Sequence, residues 1–222
     1  MPTVLITGAG RGIGLEFARQ YAAAGWEVIA TVRDPAQAET LRGLGARVET
    51  LDMEDFAALA GFPARLAGSS IDLFIANAGV SGPQRIDSAE AAGRWEKVHA
   101  VNAVAPTLLA EALLPKVAAA GGKMVAITSR MGSIADSSGG YIAYRASKAA
   151  LNAAWRALAL SVADRPVTLA MFHPGWVKTD MGGPNALLTM PDSVASLRRV
   201  IESLSSAQNG AFLNYDGEPL PW

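Results

Sequence analysis

The sequence contains no cysteine among its 222 residues. Disulfide bonds, thiolate catalysis and cysteine-bound metals are therefore excluded. Only two histidines are present, His99 and His173, and their wide separation argues against a multi-histidine zinc site. The longest uncharged run has about 13 residues, whereas a membrane-spanning helix needs about 20. The first residues show neither a basic region nor a cleavage site, so we expect a soluble, cytoplasmic protein.

The chain also lacks an excess of charge, because 19 basic residues face 20 acidic ones. A net charge of −1 gives no electrostatic reason to expect nucleic acid or an anionic membrane as a partner. Half of the residues are hydrophobic and only 18% are charged, which allows a large core and excludes a disordered chain. We expect residues 1–222 to form one domain.

Apolar strands alternate with helices along the chain, without a repeat or a linker. Strands that are apolar throughout are typical of a parallel sheet with helices on both faces. The sequence thus predicts a single doubly wound, Rossmann-type α/β domain with seven parallel strands, and ligands beyond the carboxyl ends of those strands. The strands are predicted at 4–7, 28–32, 48–51, 71–76, 123–128, 167–172 and 211–214, and the helices at 12–24, after Pro35, and at 56–67, 90–120, 144–162 and 192–205.

Glycine is abundant, and four of the 22 glycines follow the first strand, as Gly8, Gly10, Gly12 and Gly14. Glycines between a strand and a helix allow a tight turn and a close approach of the backbone to a pyrophosphate. The N-terminus of the helix adds free N–H groups and a partial positive charge. The context favours a dinucleotide site, and the alternative is a glycine-rich connection that binds nothing.

Two arginines favour NADP over NAD. Arg33 follows the second strand, where an arginine suits a 2′-phosphate and a carboxylate suits a free ribose, and Arg11 lies inside the glycine turn. The alternative is a solvated Arg33, with Asp34 binding the ribose. Asp52 follows the third strand and either contacts the adenine or caps a helix.

A second group of polar residues points to proton transfer. Tyr144 and Lys148 are four apart and share one face of a predicted helix, where an ammonium group would lower the pKa of the phenol. Such a pair is often an ordinary surface contact, but Ser129 ends the fifth strand, at the edge where a substrate oxygen would lie. Asn102 lies inside a predicted apolar helix, which is unfavourable unless its side chain or backbone holds something, such as a water.

Taken together, these motifs resemble those of the short-chain dehydrogenase/reductase family, over nearly the whole chain. Finer details around Ser129 and Tyr144, and the ending Asp216-Gly217-x-x-x-Pro221-Trp222, resemble the C-factor and sniffer-type carbonyl reductases. The family motifs are Thr7-Gly8-x-x-x-Gly12-x-Gly14, Ala76-Asn77-Ala78-Gly79, Asn102, Ser129, Tyr144-x-x-x-Lys148 and Pro174-Gly175.

The resemblance implies an NADPH-dependent reductase of carbonyl compounds without a metal. Tyr144 would be the general acid, Lys148 would lower its pKa and hold the nicotinamide ribose, Ser129 would bind the carbonyl oxygen, and Asn102 would order a water. Thr179 would contact the carboxamide. The remaining residues expected to bind the cofactor are Gly8, Gly10, Arg11, Gly12, Ile13, Gly14, Arg33, Leu51, Asp52, Met53, Asn77, Ala78, Gly79, Pro174, Gly175 and Val177, together with Tyr144 and Lys148.

Some features depart from the family pattern. Ala76 stands where the family usually has an asparagine. Ser129 and Tyr144 lie 15 residues apart, which is somewhat more than is usual in the family. Ser133 is nearer to Tyr144 in sequence, but Gly132, three residues after Ser129, matches the family pattern and identifies Ser129 as the family serine. The expected substrate lid, about 180–192, is short and looks mobile, which predicts an open pocket for broad or bulky substrates.

Other functions stay open. The main alternative is a regulatory or signalling protein that binds NAD(P) with little turnover, and a nucleotide-sugar dehydratase or epimerase would need a larger chain. We expect a homodimer or homotetramer that associates through the helices at 90–120 and 144–162, with Trp155 among the residues available to a partner.

Overall fold

Seven parallel strands form the centre of the protein, which we describe from a computed structural model covering all 222 residues. Their order across the sheet is β3-β2-β1-β4-β5-β6-β7, and the predicted fold class is confirmed. The first strand pairs with β2 on one side and β4 on the other. The strands are β1 (Thr3–Ile6), β2 (Glu27–Val32), β3 (Arg47–Thr50), β4 (Leu73–Ala76), β5 (Lys123–Ile127), β6 (Thr168–His173) and β7 (Ala211–Asn214).

Helices cover both faces of the sheet, because alternate residues of each buried strand point to opposite sides. One core cluster joins the sheet to α3, α5 and α6, and a second joins it to α1, α2 and α7. The predicted boundaries agree to within a few residues. The helices are α1 (Gly12–Ala23), α2 (Ala38–Gly43), α3 (Phe56–Arg65), α4 (Ala89–His99), α5 (Ala105–Ala119), α6 (Ile142–Ser161) and α7 (Met190–Ser203).

The helix predicted at 90–120 is not a regular α-helix. A π-helical turn, Ala100–Val104, separates α4 from α5 and contains the fully buried Asn102. A π-turn widens the helix by one residue per turn and often occurs at functional sites. The residue that looked unfavourable in the sequence is thus at the centre of a local irregularity.

The prediction that Trp155 is available to a second subunit is wrong. Its side chain is fully buried, and its ring lies 6.3 Å from that of Phe74 in β4. The sheet therefore takes the largest apolar side chain of α6, because burying an indole contributes more to the core than any smaller side chain there.

The helical run Ala89–Ala119 has the length and apolar composition of a membrane-spanning segment, with a mean hydropathy of 1.3 over 18 residues. In this structure, 56% of that window is buried within the protein. A core helix of a water-soluble protein has the same properties, so the run gives only weak evidence for a membrane span.

Candidate active site

The strands at the centre of the sheet bring the predicted site residues to one edge. The chain moves from β1 outward to β2 and β3, and returns to the other side of β1 as β4. The carboxyl ends of β1 and β4 therefore flank a crevice, which is where ligands bind in open α/β sheets.

The glycine turn after β1 leads directly into α1. Gly8 has a φ of +64°, and a Cβ there would lie 2.8 Å from the Cα of Ala78, so only glycine fits. Gly12, with a φ of +59°, starts the helix in open space with no atom within 4 Å of a Cβ position. No side chain caps α1, so the N–H groups of its first turn, which includes Ile13 and Gly14, are available to an anion.

Thr7 and Asn77 fasten this turn to β4. The Thr7 hydroxyl accepts hydrogen bonds from the backbone N–H groups of Asn77 (3.0 Å) and Ala78 (3.1 Å). The Asn77 side chain in turn donates to the carbonyl oxygens of Thr7 (3.0 Å) and Gly8 (3.2 Å). Asn77 thus lies at the crevice, but its side-chain amide nitrogen is used to hold the turn.

Residues after β2 and β3 border the far end of the crevice. Arg33 is exposed, whereas the carboxylate of Asp34 accepts a hydrogen bond from the Ala36 N–H (3.0 Å) and caps a 3₁₀ turn. Asp52 accepts from the Glu54 N–H (2.9 Å), while Asp55 is the residue that caps α3, so the helix-cap alternative for Asp52 is wrong. Leu51 and Met53, on either side of Asp52, are buried, and Gln37 packs against Gly10.

Arg11 has a partner that the sequence analysis missed. Its guanidinium donates to the carboxylate of Asp180 at 2.6 Å, and both side chains are largely exposed. Asp180 follows Thr179 in the segment after β6, so the ion pair joins the glycine turn to the predicted lid.

The predicted catalytic residues meet beyond the end of β5. The Ser129 hydroxyl accepts a hydrogen bond from the Met131 N–H at 3.1 Å and lies close enough to the phenol of Tyr144, in the first turn of α6, to lower its pKa. One turn later, Lys148 places its ammonium nitrogen 5.8 Å from the centre of the Tyr144 ring and donates to the Ile127 carbonyl oxygen at 2.9 Å. The competing Ser133 is buried and bonded elsewhere, to the Asp136 N–H.

Burial controls the protonation of this pair. Desolvation raises the pKa of Tyr144 to about 12, opposed by the nearby Ser129 side chain, and lowers the pKa of Lys148 to about 8. The prediction of a lowered pKa for Tyr144 is therefore wrong for this structure, because desolvation of the phenolate outweighs the opposing effect of Ser129. Both shifts favour the uncharged form: the phenol keeps its proton, and the ammonium loses its proton more easily.

Asn102 connects this centre to the segment after β4. Its side chain accepts from the Val80 N–H (2.8 Å) and donates to the Val80 carbonyl (2.9 Å) and the Ser147 hydroxyl (3.0 Å). Ser147 donates to the Tyr144 carbonyl oxygen at 2.8 Å. The side-chain amide of Asn102 therefore finds its partners within the protein. Gly79 lies beside this residue, since a Cβ there would be 3.3 Å from the amide oxygen.

The segment after β6 is held by hydrogen bonds of its own. Thr179 accepts from the Gly182 N–H (3.0 Å), and Trp176 donates its indole N–H to the Gly182 carbonyl (2.8 Å). Val177 is buried and forms an isolated bridge with Leu188, which joins the start of this segment to residues just before α7.

Sequence reasoning missed Ser147 and Asp180. Ser147 lies within the Tyr144-to-Lys148 run, where its position one residue before the lysine was a usable signal. Asp180 is 169 residues away from Arg11, and no local pattern indicates such a contact.

Comparison with known proteins agrees with this geometry. A family profile described as short chain dehydrogenase matches residues 2–186. The C-signal protein of Myxococcus xanthus is 40% identical over 167 residues, which cover 72% of this chain and 98% of the relative. The structure of carbonyl reductase Sniffer of D. melanogaster superposes with a TM-score of 0.91 at 31% identity and covers both chains fully. The NADPH-bound carbonyl reductase from chicken fatty liver gives a TM-score of 0.91 at 33% identity, over 100% of this chain and 94% of that one.

Proposed function

The chain belongs to the short-chain dehydrogenase family, and we propose that it reduces carbonyl groups of small molecules with NADPH. The observation that carries this proposal is the contact of Ser129 with Tyr144 beside the buried Lys148, at the edge of the sheet that also holds the glycine turn. Relatives described as carbonyl reductases, one of them with NADPH bound, support it.

The crevice suits a dinucleotide. The uncapped start of α1 offers backbone N–H groups to a diphosphate, and the open space around Gly12 leaves room for it. Arg33 is exposed after β2, and Arg11 is exposed in the glycine turn. Both are therefore candidates to bind a 2′-phosphate. When bound, NADPH supplies the hydride that reduces the carbonyl carbon.

The protein supplies position and a proton. Ser129 donates a hydrogen bond to the carbonyl oxygen, and Tyr144, neutral at physiological pH, donates the proton that this oxygen takes up. Lys148 stabilises the phenolate that remains and binds the nicotinamide ribose, while the backbone at Asn102 holds the water through which Tyr144 regains its proton. Thr179 binds the carboxamide.

The mouth of the site favours apolar carbonyl compounds. Exposed apolar side chains flank it on the loop after β5, before Tyr144 and in the segment after β6: Ile134, Tyr141, Trp176 and Met181. Bulky aldehydes, ketones and quinones suit such a rim, because it leaves apolar surface to be covered by the substrate.

Turnover by the purified protein tests the proposal. With NADPH and a panel of aldehydes, ketones and quinones, we expect oxidation of the cofactor, followed by the loss of the absorbance of the reduced nicotinamide. Tyr144→Phe keeps the ring but removes the proton donor, and we expect at least about a hundredfold loss of kcat with NADPH binding retained. Equal activity of the variant and the wild type, or none in either, would contradict the proposal.

A signalling role is the second candidate, favoured by the 40% identity to C-signal. If the protein acts only by binding NAD(P), its function should be lost when Gly12 or Gly14 is replaced. The same function should be kept when Tyr144 is replaced by phenylalanine. The intact Ser129, Tyr144 and Lys148 favour the reductase, because cofactor binding alone does not require a buried proton donor beside a serine.

We further propose that the protein is a homodimer or homotetramer whose contacts include α4, α5 and α6. Two large apolar side chains of these helices are exposed: Val104, in the π-turn between α4 and α5, and Leu160 in α6. Light scattering at micromolar concentration should give at least twice the 23.0 kDa chain mass, and a monomer mass would overturn the proposal.

A further inference from the structure

Trp222 is anchored between β7 and α6. After β7 the chain turns back, with the Asn214 N–H donating to the Glu218 carbonyl (2.8 Å) and the Leu220 N–H to the Phe212 carbonyl (2.9 Å). The Trp222 ring then lies 5.6 Å from the Phe212 ring.

Arg156 of α6 covers the same indole. Its guanidinium lies 5.9 Å from the ring, and is itself held by the Gly210 carbonyl oxygen at 2.9 Å. Together, the two contacts fix the ring although it is half exposed.

The main-chain oxygen of Trp222 holds the loop that follows Ser129. It accepts hydrogen bonds from the Ala135 N–H (2.8 Å) and from the hydroxyl of the buried Ser133 (3.2 Å). These two residues flank Ile134, whose side chain is 80% exposed. One oxygen therefore restrains both neighbours of this exposed apolar residue.

The restrained loop is short and tightly connected to Ser129. The Ser133 N–H donates to the Arg130 carbonyl (2.9 Å), and the Gly132 N–H donates to the Ser129 carbonyl (2.9 Å). Gly132 packs against α6 so closely that a Cβ would lie 2.8 Å from the carbonyl carbon of Lys148. A shift of Ser133 is thus passed on to Ser129, because the turn between them has no free length.

We propose that Trp222 is a positioning residue for the reaction. Its anchored ring keeps its main-chain oxygen on Ser133 and Ala135, and this contact sets the place of the Ser129 hydroxyl relative to Tyr144. The contacts of Trp222 are with Phe212, Arg156, Ser133 and Ala135 rather than with any of the four predicted catalytic side chains, so it acts through Ser129. The inference rests on the proposed function, because it assumes that Ser129 binds the carbonyl oxygen.

Kinetics of three purified variants test the proposal. In Trp222→Ala, kcat should fall about tenfold, because small displacements of a catalytic group reduce rates strongly, while the Kd for NADPH stays unchanged. Trp222→Phe keeps a ring for Phe212 and Arg156 and should recover kcat to within about twofold of wild type. Phe56→Ala, which removes a comparably exposed aromatic ring at the start of α3, is the matched control and should leave kcat unchanged.

A double variant separates positioning from general damage. Ser133→Ala removes one of the two bonds to Trp222 and also the acceptor of the Asp136 N–H. Trp222→Ala should therefore lower kcat by a smaller factor in the Ser133→Ala background than in the wild type, because that background already lacks part of the contact. The proposal would be overturned if the two substitutions lowered kcat additively, or if kcat of Trp222→Ala stayed within twofold of wild type. It would also be overturned if the fraction of Trp222→Ala protein that binds NADPH fell as much as kcat, because unfolded protein would then explain the loss.

Amide exchange judges the contact independently of activity. In Trp222→Ala, the Ala135 N–H should exchange faster, while amides in the middle of β5 stay protected. Unchanged exchange at Ala135 contradicts the positioning role. A wild-type protein without any carbonyl turnover would instead remove the proposed function, so the two failures are distinguishable.

Discussion

At the scale of single residues, burial decides the chemistry of the site. Tyr144 and Lys148 are shifted in opposite directions by the same cause, because each loses the hydration that its charged form needs. The Ile127 carbonyl at 2.9 Å is the direct hydrogen-bond partner of the Lys148 ammonium. Burying the charged lysine therefore costs the folded state stability.

Replacement of Lys148 by methionine should stabilise the protein at neutral pH. With a pKa of 10.5 when unfolded and about 8 when folded, the ammonium costs the folded state about 3 kcal/mol below pH 8. Between pH 8 and 10.5 the unfolded chain binds more protons, so the wild type gains stability relative to the variant. Urea denaturation should show Lys148→Met as the more stable protein at pH 7, with a gap that shrinks at pH 10. A gap that is constant with pH would contradict this account.

Removal of the Asp180 carboxylate should free Arg11 for the cofactor. Asp180→Asn breaks the ion pair, so we expect a Kd for NADPH that is lower by a few fold, with little change for NADH, which has no 2′-phosphate. Fluorescence titration measures both constants. Asp87→Asn, in another exposed ion pair with Arg85, is the control and should change neither. Equal effects on both cofactors would show that Arg11 does not recognise the phosphate.

At the scale of secondary-structure elements, apolar patterning predicted the strands and most helices because burial on both faces leaves a strong pattern. The π-turn was not predictable in this way, since 98–110 is apolar on nearly all sides. Its cause is tertiary: Val80 and Ser147 bind the Asn102 side chain inside the helix. Trp155 was unpredictable for the same reason. Its neighbours in the sequence are also apolar, so the pattern did not show whether its side chain faces the sheet or a second subunit.

Asn102→Ala should destabilise the protein by about 3 kcal/mol. The substitution leaves the Val80 N–H and carbonyl and the Ser147 hydroxyl without their buried partner. Thr107→Val, which removes a local bond to the Ala103 carbonyl in α5, is the control and should cost less than about 1 kcal/mol. Chemical denaturation measures the free energy of unfolding of both variants. Equal decreases in the two variants would contradict the view that the buried contacts of Asn102 stabilise the fold.

At the scale of the whole molecule, the sequence predicted the sheet edge that carries the site, because strand ends and polar residues coincide at Ser129 and at the glycine turn. It did not predict contacts between distant segments, such as Arg11 with Asp180 or Trp222 with Ala135. These contacts depend on how loops that are distant in sequence meet beyond the sheet. Residue spacing within one segment does not predict them.

Isotope labelling shows whether the protein transfers hydride from the nicotinamide to a carbonyl carbon. Wild-type protein is incubated with an aromatic aldehyde and NADPH that carries deuterium at the transferable C4 position, and the alcohol is analysed by mass spectrometry. We predict one deuterium on the former carbonyl carbon of the product, and no product from Tyr144→Phe under the same conditions. Tight binding of the labelled NADPH without labelled alcohol, across aldehydes, ketones and quinones, would contradict the reductase and leave the signalling role.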